Sequence, residues 1–165
     1  MTKTNPKPRV LVSDALSETA VDIFRQNGVE VDFQPTLGKD KEALHKIIHE
    51  YDGLAIRSAT KATEKLIEAA TNLKVIGRAG IGVDNVDLKA ASRRGIIVMN
   101  TPFGNSITTA EHAISMMMAV ARQIPAADTS TQAGKWEKSR FMGVELTGKT
   151  LGLIGCGNIG SIVAD

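Results

Sequence analysis

The 165 residues suffice for one ordinary domain, or for one domain and the beginning of another. With 42% hydrophobic and 23% charged residues the chain has the makeup of a folded globular protein, and its net charge of +2 is too small to imply nucleic acid or an anionic membrane as a partner, local basic clusters being judged separately. The single cysteine, Cys156, excludes an internal disulfide, no apolar run approaches the roughly 18 residues of a membrane span, and the polar start Met1 to Arg9 has no leader core, so a cytoplasmic location is expected.

Val10 to Val12 is a short apolar run with a polar end, Ser13-Asp14, after which Ser17 caps a helix carrying Ala20, Val21, Ile23 and Phe24 to a stop at Gly28. Val29 to Phe33 alternates like a strand, Pro35 to Gly38 breaks it, and Leu44, Ile47 and Ile48 mark a second helix ending near Tyr51. Gly53 to Ile56 is a third strand emptying into Arg57-Ser58-Ala59-Thr60, and Thr63 caps the helix of Leu66, Ile67, Ala69 and Ala70. Leu73 to Gly77 is a fourth strand opening into Arg78-Ala79-Gly80-Ile81-Gly82-Val83-Asp84. Asp84 or Asn85 can cap a short helix through Arg93, and Ile96 to Met99 is the fifth strand. Strands alternating with helices predict a doubly wound parallel α/β sheet of flavodoxin-like type, in which ligands bind beyond the strand carboxyl ends.

Asn100 to Asn105, punctuated by Pro102 and Gly104, reads as a hinge separating a domain at residues 1–100 from a second at 101–165. Ser106 to Arg122 is a long helix, apolar over more than half its girth, that needs a core or a second subunit to cover it. Pro125 starts a shorter helix ending near Gly134. Leu151 to Ile154 then reads as a strand delivering the chain into Gly155-x-Gly157-x-x-Gly160, with Ile159, Ile162 and Val163 at helical spacing beyond.

Strand, glycine turn and helix together form a dinucleotide fingerprint, the start of a Rossmann domain. Its glycines provide a tight turn, close approach to a pyrophosphate and close packing of helix on strand. The acidic residue that grips a ribose hydroxyl is expected about 20 residues further on, beyond Asp165, so the choice between NAD and NADP is not legible. Arg57-Ser58 and Arg78-x-Gly80-Ile81 could hold a carboxylate and a phosphate. Spacing alone leaves two exposed loop arginines as an equal alternative; their shared place at strand carboxyl ends favours anion binding.

Other candidates take plainer readings. His45 and His49 stand four apart on one helical face, but no third ligand accompanies them and a solvated pair is expected. His112 beside Glu111 is taken as packing or interface, Cys156 as a small residue tolerated in a turn, and Met116 to Met118 as core filling. Lys135, Lys138 and Arg140 are read as a solvated edge.

Arg57-Ser58-Ala59-Thr60, Gly77 through Asp87, Asn100-Thr101-Pro102, Ala110-Glu111-His112, Gly134-Lys135-Trp136 and Gly148 through Gly160 together resemble the D-2-hydroxyacid dehydrogenase family, on its phosphoglycerate branch. Order and spacing agree from Arg9 onward, over about nine tenths of the chain. The resemblance implies a substrate (lid) domain at 1–100, the truncated beginning of an NAD-binding domain at 101–165, and a cleft between them. It implies that Arg57 and Ser58 contact substrate, that Arg78 and the amides of Gly80 and Ile81 line a carboxylate and phosphate pocket, and that Asn105 faces substrate and nicotinamide. Ile81, Gly155, Gly157, Asn158, Ile159 and Gly160 would serve the cofactor. The helix at 106–122 matches the family's dimerisation helix, implying a homo-oligomer, with no nucleic acid, membrane or metal partner. The implied reaction is NAD-dependent oxidation of 3-phosphoglycerate to 3-phosphohydroxypyruvate, the entry to serine biosynthesis. The family's catalytic arginine, glutamate and histidine would lie beyond Asp165, so none falls within 1–165. The chain reads as an N-terminal fragment, inactive alone. The alternative is a non-catalytic α/β module that binds a small phosphorylated acid.

Overall fold

In the computed structural model, which describes residues 7–165, the chain forms two compact units, one ending at Gly104 and the other running from Asn105 to Asp165. The start of the polar stretch read as lacking a leader, residues 1–6, lies outside the described residues.

The first unit is built on five parallel strands: β1 (Arg9–Val12), β2 (Glu30–Phe33), β3 (Gly53–Ile56), β4 (Val75–Arg78) and β5 (Ile97–Asn100). Their spatial order is β2-β1-β3-β4-β5, the flavodoxin-like order expected from the alternating pattern. Parallel strands need crossovers, and these are α1 (Glu18–Gln26), α2 (Lys41–Ile47, extended by a 3-10 turn at Ile48–Glu50), α3 (Glu64–Ala69) and α4 (Leu88–Arg93).

Side chains alternate across the sheet. Leu11, Leu54, Ile56 and Ile76 are buried in one core with Leu44 and Ile48, Leu66 and Ile67, and Ala90 and Ala91, from the region of α2, from α3 and from α4. Val10, Val12 and Ala55 point to the other face, against Leu16, Phe24, Val29, Val31 and Phe33. The central strand β3 is buried along its whole length, whereas Ile97 and Met99 of the edge strand β5 are exposed.

Helix starts follow capping chemistry. Ser17 Oγ accepts the Ala20 amide, Asp40 Oδ1 those of Glu42 and Ala43, and Thr63 Oγ1 that of Leu66. The cap of α4 differs from the expectation of Asp84 or Asn85: Asp87 Oδ1 takes the Ala90 amide at 2.9 Å. Asn85 is committed elsewhere. The amino ends of the central strands are tied by Asp52, whose carboxylate accepts the Arg9 amide at 3.0 Å and Lys74 Nζ at 2.8 Å.

In the second unit, α5 (Ser106–Ala121), α6 (Ile124–Gln132), a 3-10 turn at Lys138–Arg140 and α7 (Asn158–Ala164) are the regular elements. Ile107, Met116, Met118 and Val120 of α5 are exposed, so the reading of the methionine run as core filling is corrected. Glu111 and His112 are exposed as well, so in this chain His112 does not pack. A second correction concerns residues 151–154, which form no strand: Ile154 is fully exposed, and no strand among the described residues takes up its backbone groups. Among the described residues, no helix is long and apolar enough to cross a membrane.

Candidate functional site: two arginine loops and a glycine turn

β1, β3 and β4 are consecutive neighbours in the sheet, so their carboxyl ends bring three loops side by side. β1 runs into Ser13-Asp14, both buried. Asp14 is 2% exposed and has no cation partner among the described residues; its carboxylate is held by donors instead. Oδ2 accepts the Arg57 amide at 2.6 Å and the Thr60 amide at 3.1 Å, and Oδ1 accepts the Thr60 hydroxyl at 2.8 Å. Ser13 Oγ lies 2.8 Å from Thr60 Oγ1. A buried polar group is costly unless hydrogen-bonded, and these three donors satisfy the Asp14 carboxyl group. Gly38 closes it from the side: a Cβ there would overlap both Thr60 Oγ1 and Asp14 Oδ1.

The loop after β3 is gripped a second time by the loop after β4. Asn85 Nδ2 donates to the Arg57 carbonyl at 2.6 Å and to the Thr60 carbonyl at 2.7 Å. Main-chain bonds from the Ala62 amide to the Asn85 carbonyl and from the Asp87 amide to the Ala62 carbonyl, both 2.9 Å, join the same two loops. Arg57 is therefore fixed at its N–H by one neighbour and at its C=O by another, while its guanidinium donates to the Ala15 carbonyl at 3.2 Å and stays exposed, as does Ser58.

Arg78 ends β4 with its side chain only 12% exposed. The guanidinium donates to the Gly82 carbonyl and lies 3.9 Å from Asp84 Oδ1, whose own side chain is 86% exposed. A pair at 3.9 Å whose carboxylate is solvated is weak and leaves the guanidinium open to competition from an incoming anion. Arg78 Nε is buried without a partner among the described residues. A Cβ on Gly80 would come within 2.6 Å of Arg78 Nη1, so glycine gives the arginine its room. Of the two amides expected to face a ligand, that of Gly80 donates to the Arg78 carbonyl at 3.0 Å, while that of Ile81 has no partner among the described residues. Asn100 Nδ2 and the Thr101 amide hold the Ile81 and Gly80 carbonyls at 2.7 and 3.0 Å.

In the second unit, Asn105 is exposed at the start of α5 and its side chain makes no capping bond. In the glycine turn, Gly155 has φ +96°, and a Cβ on Gly160 would collide with the Gly155 carbonyl. Both glycines are thus required by local geometry. Gly157 precedes the first turn of α7, where Asn158 and Ile159 supply amides with no acceptor among the described residues. Cys156 is exposed. His45 and His49 join no cluster of metal-ligating residues among the described residues.

Sequence reasoning missed Asp14, Thr60, Gly38 and Asn85. The one signal was the polar pair Ser13-Asp14 directly after an apolar strand.

Residues 10–158 match the family described as D-isomer specific 2-hydroxyacid dehydrogenase, catalytic domain. The chain belongs to this dehydrogenase family. Among curated relatives, D-3-phosphoglycerate dehydrogenase of Archaeoglobus fulgidus is 52% identical over 156 residues, covering 94% of this chain and 29% of the relative. The Homo sapiens protein of the same name is 51% identical with the same coverage. The chain therefore spans less than a third of the length of these dehydrogenases. Among solved structures, the TT0316 protein of Thermus thermophilus superposes with a TM-score of 0.85 at 36% identity, over 94% of this chain and 51% of that one. Cofactor (NAD+)-bound 3-phosphoglycerate dehydrogenase of Entamoeba histolytica gives 0.72 at 32%, over 96% and 50%.

Proposed function

We propose that this chain carries the substrate-anchoring part, and the opening of the cofactor-binding part, of an NAD-dependent dehydrogenase that oxidises 3-phosphoglycerate to 3-phosphohydroxypyruvate, in the cytoplasm, at the head of serine biosynthesis. The observation that carries the reading is the placement of Arg57 and Arg78 at the adjacent carboxyl ends of β3 and β4, on loops joined by Asn85.

Two guanidinium groups on neighbouring loops suit a ligand with two anionic groups, and 3-phosphoglycerate carries a carboxylate and a phosphate. Arg57 and Ser58 are exposed and contact the substrate. Arg78 and the free amide of Ile81 line the anion pocket, with Gly80 giving the backbone its close approach. Asn105 faces substrate and nicotinamide. The glycine turn fits a dinucleotide: Gly155 supplies the positive φ, Gly160 the close contact, and the amides of Asn158 and Ile159 the donors for a pyrophosphate, with Gly157 and Ile81 beside the cofactor. When bound, NAD supplies the hydride acceptor, and the protein binds and orients the acid. No histidine stands on the loops of Arg57 and Arg78, and the family resemblance assigns none of its catalytic residues to this chain, which is the basis for proposing that the chain alone binds without turning over. The exposed apolar side chains of α5, Ile107 and Met118 on one face and Met116 and Val120 on the opposite one, offer surface to a second copy.

Isothermal titration calorimetry of the chain with 3-phosphoglycerate tests the anchors: Arg57→Ala or Arg78→Ala should weaken binding at least about tenfold. Unchanged affinity in both variants would sink the assignment. Binding without NADH absorbance is expected of this chain. A complete gene product that also binds without turnover favours the second reading, a non-catalytic module for small phosphorylated acids, for which the location of both arginines within one unit speaks.

A further inference from the structure

We infer that Asp14 and Asn85 are positioning residues that set the affinity of the Arg57-Ser58 loop for its anionic ligand without touching the ligand; the inference rests on the reading of Arg57 and Arg78 as anchors. The juxtaposition is specific. The peptide units on either side of Arg57 are held from opposite directions, its amide by Asp14 Oδ2 at 2.6 Å and its carbonyl by Asn85 Nδ2 at 2.6 Å. Three residues on, Thr60 is held in the same way, its amide by Asp14 at 3.1 Å and its carbonyl by Asn85 at 2.7 Å. The four residues from Arg57 to Thr60 are thus clamped at both ends by the same pair, while the two between, Ser58 and Ala59, are exposed.

The two clamp residues do different work. Asp14 extends from β1 beneath the loop and is buried, so it fixes the loop to the sheet. Asn85 belongs to the loop that carries Arg78, so it fixes one arginine loop to the other and sets their separation. A bidentate ligand rewards this. If Arg57 must be ordered at binding, the backbone and side-chain entropy of the loop is lost then and weakens the affinity. A loop already ordered avoids that loss, which is preorganisation. Asn85 suits the task because its side-chain amide presents two N–H donors to two carbonyls; its Oδ1 is buried with no partner among the described residues, so donation is the side chain's contribution here.

The isosteric replacement Asn85→Asp keeps the shape but faces two carbonyl oxygens with an acceptor. In Asn85→Asp the Arg57 and Thr60 amides should exchange hydrogen at least about tenfold faster than in the wild type while those of Leu54 and Ile76 keep their protection, and 3-phosphoglycerate should bind at least about tenfold more weakly by calorimetry. Leu73→Ala, at the amino edge of the sheet, serves as a control for general destabilisation: its melting temperature should fall with affinity unchanged. Asp14→Asn, which keeps one carbonyl acceptor, should lie between Asn85→Asp and the wild type in both readouts. Wild-type exchange at Arg57 and Thr60, or wild-type affinity, in Asn85→Asp would overturn the inference, as would an equal loss of affinity in Leu73→Ala. Should the wild type itself fail to bind 3-phosphoglycerate, the anchor reading fails and the affinity role falls with it, although loss of exchange protection in Asn85→Asp would still establish the clamp. The two failures are thereby distinguished.

Discussion

Asp14 Oδ2 accepts the amide of Arg57 at 2.6 Å across 43 residues of sequence, inside a pocket that leaves Asp14 2% exposed. This bond joins the end of β1 to the loop that follows β3, and it makes a buried residue responsible for the conformation of an exposed one. Ser58 and the Arg57 guanidinium can face solvent because the backbone behind them needs nothing further.

Replacing Asp14 by alanine removes the acceptor for two amides and one hydroxyl in a site too enclosed for ready hydration. Buried donors left unpaired cost about 1–3 kcal/mol each, not additively, so Asp14→Ala should lose about 3 kcal/mol of stability. The expected readout is a lower urea midpoint with an unchanged slope. A loss under about 1 kcal/mol would show that water or a shifted loop replaces the carboxylate.

Gly38 tests the same pocket by filling it. Its backbone angle is unremarkable for any residue, so the cost of Gly38→Ala is steric: the new methyl meets Thr60 Oγ1 and Asp14 Oδ1. Overpacking of this kind costs about 1–3 kcal/mol, or several degrees of melting temperature in a unit this size. By contrast Gly77→Ala, where a Cβ meets nothing within 4 Å, should leave the melting temperature nearly unchanged.

Much of this unit was legible from periodicity. The alternation of apolar strands with capped helices predicts five parallel strands and their order, because short strands joined by helices have few other ways to bury both faces. The arginine loops were legible as well, since Arg57 and Arg78 follow apolar runs directly. Asp14 bonding Thr60 was not: the partners lie 46 residues apart, and nothing local distinguishes a buried aspartate from a loop one. Asn85 was misread as a cap because Asp84, Asn85 and Asp87 all suit an N-cap and only tertiary contact selects among them. Leu151 to Ile154 has strand composition, but pairing makes a strand, and no partner stands beside it among the described residues.

Asp52 gives a pH dependence whose sign can be stated. The side-chain bond from Lys74 first, and the Arg9 amide second, hold its carboxyl below the usual value. A depressed folded-state pKa adds stability above the unfolded-state value, and that stability is lost as pH falls through the folded-state value. Asp52→Asn should therefore be less stable than the wild type at neutral pH, by about 1 kcal/mol given the exposure of the Lys74 partner. The two curves should converge as pH falls through the lowered folded-state value of Asp52. Urea midpoints at a series of pH values check this, and a gap that persists into acid would assign the effect to packing instead.

The glycine turn responds to a different probe. Gly155 at φ +96° tolerates no side chain without strain of about 1 kcal/mol or more, and Gly160 has no space for a Cβ against the Gly155 carbonyl. Gly155→Ala and Gly160→Ala should both loosen the start of α7, raising amide exchange across residues 155–165 severalfold. Exchange in β1, β3 and β4 should not change, because those strands belong to the unit that ends at Gly104. Dinucleotide affinity should fall in both variants, since the Asn158 and Ile159 amides converge only when the turn is closed. Ser161→Ala provides the comparison: it is exposed on α7 and its hydroxyl makes only a weak bond, 3.3 Å to the Asn158 carbonyl, so exchange and affinity should stay at wild-type values. An effect of Ser161→Ala equal to that of Gly160→Ala would mean that α7 frays whatever the turn does, and the two glycines would lose their assigned role.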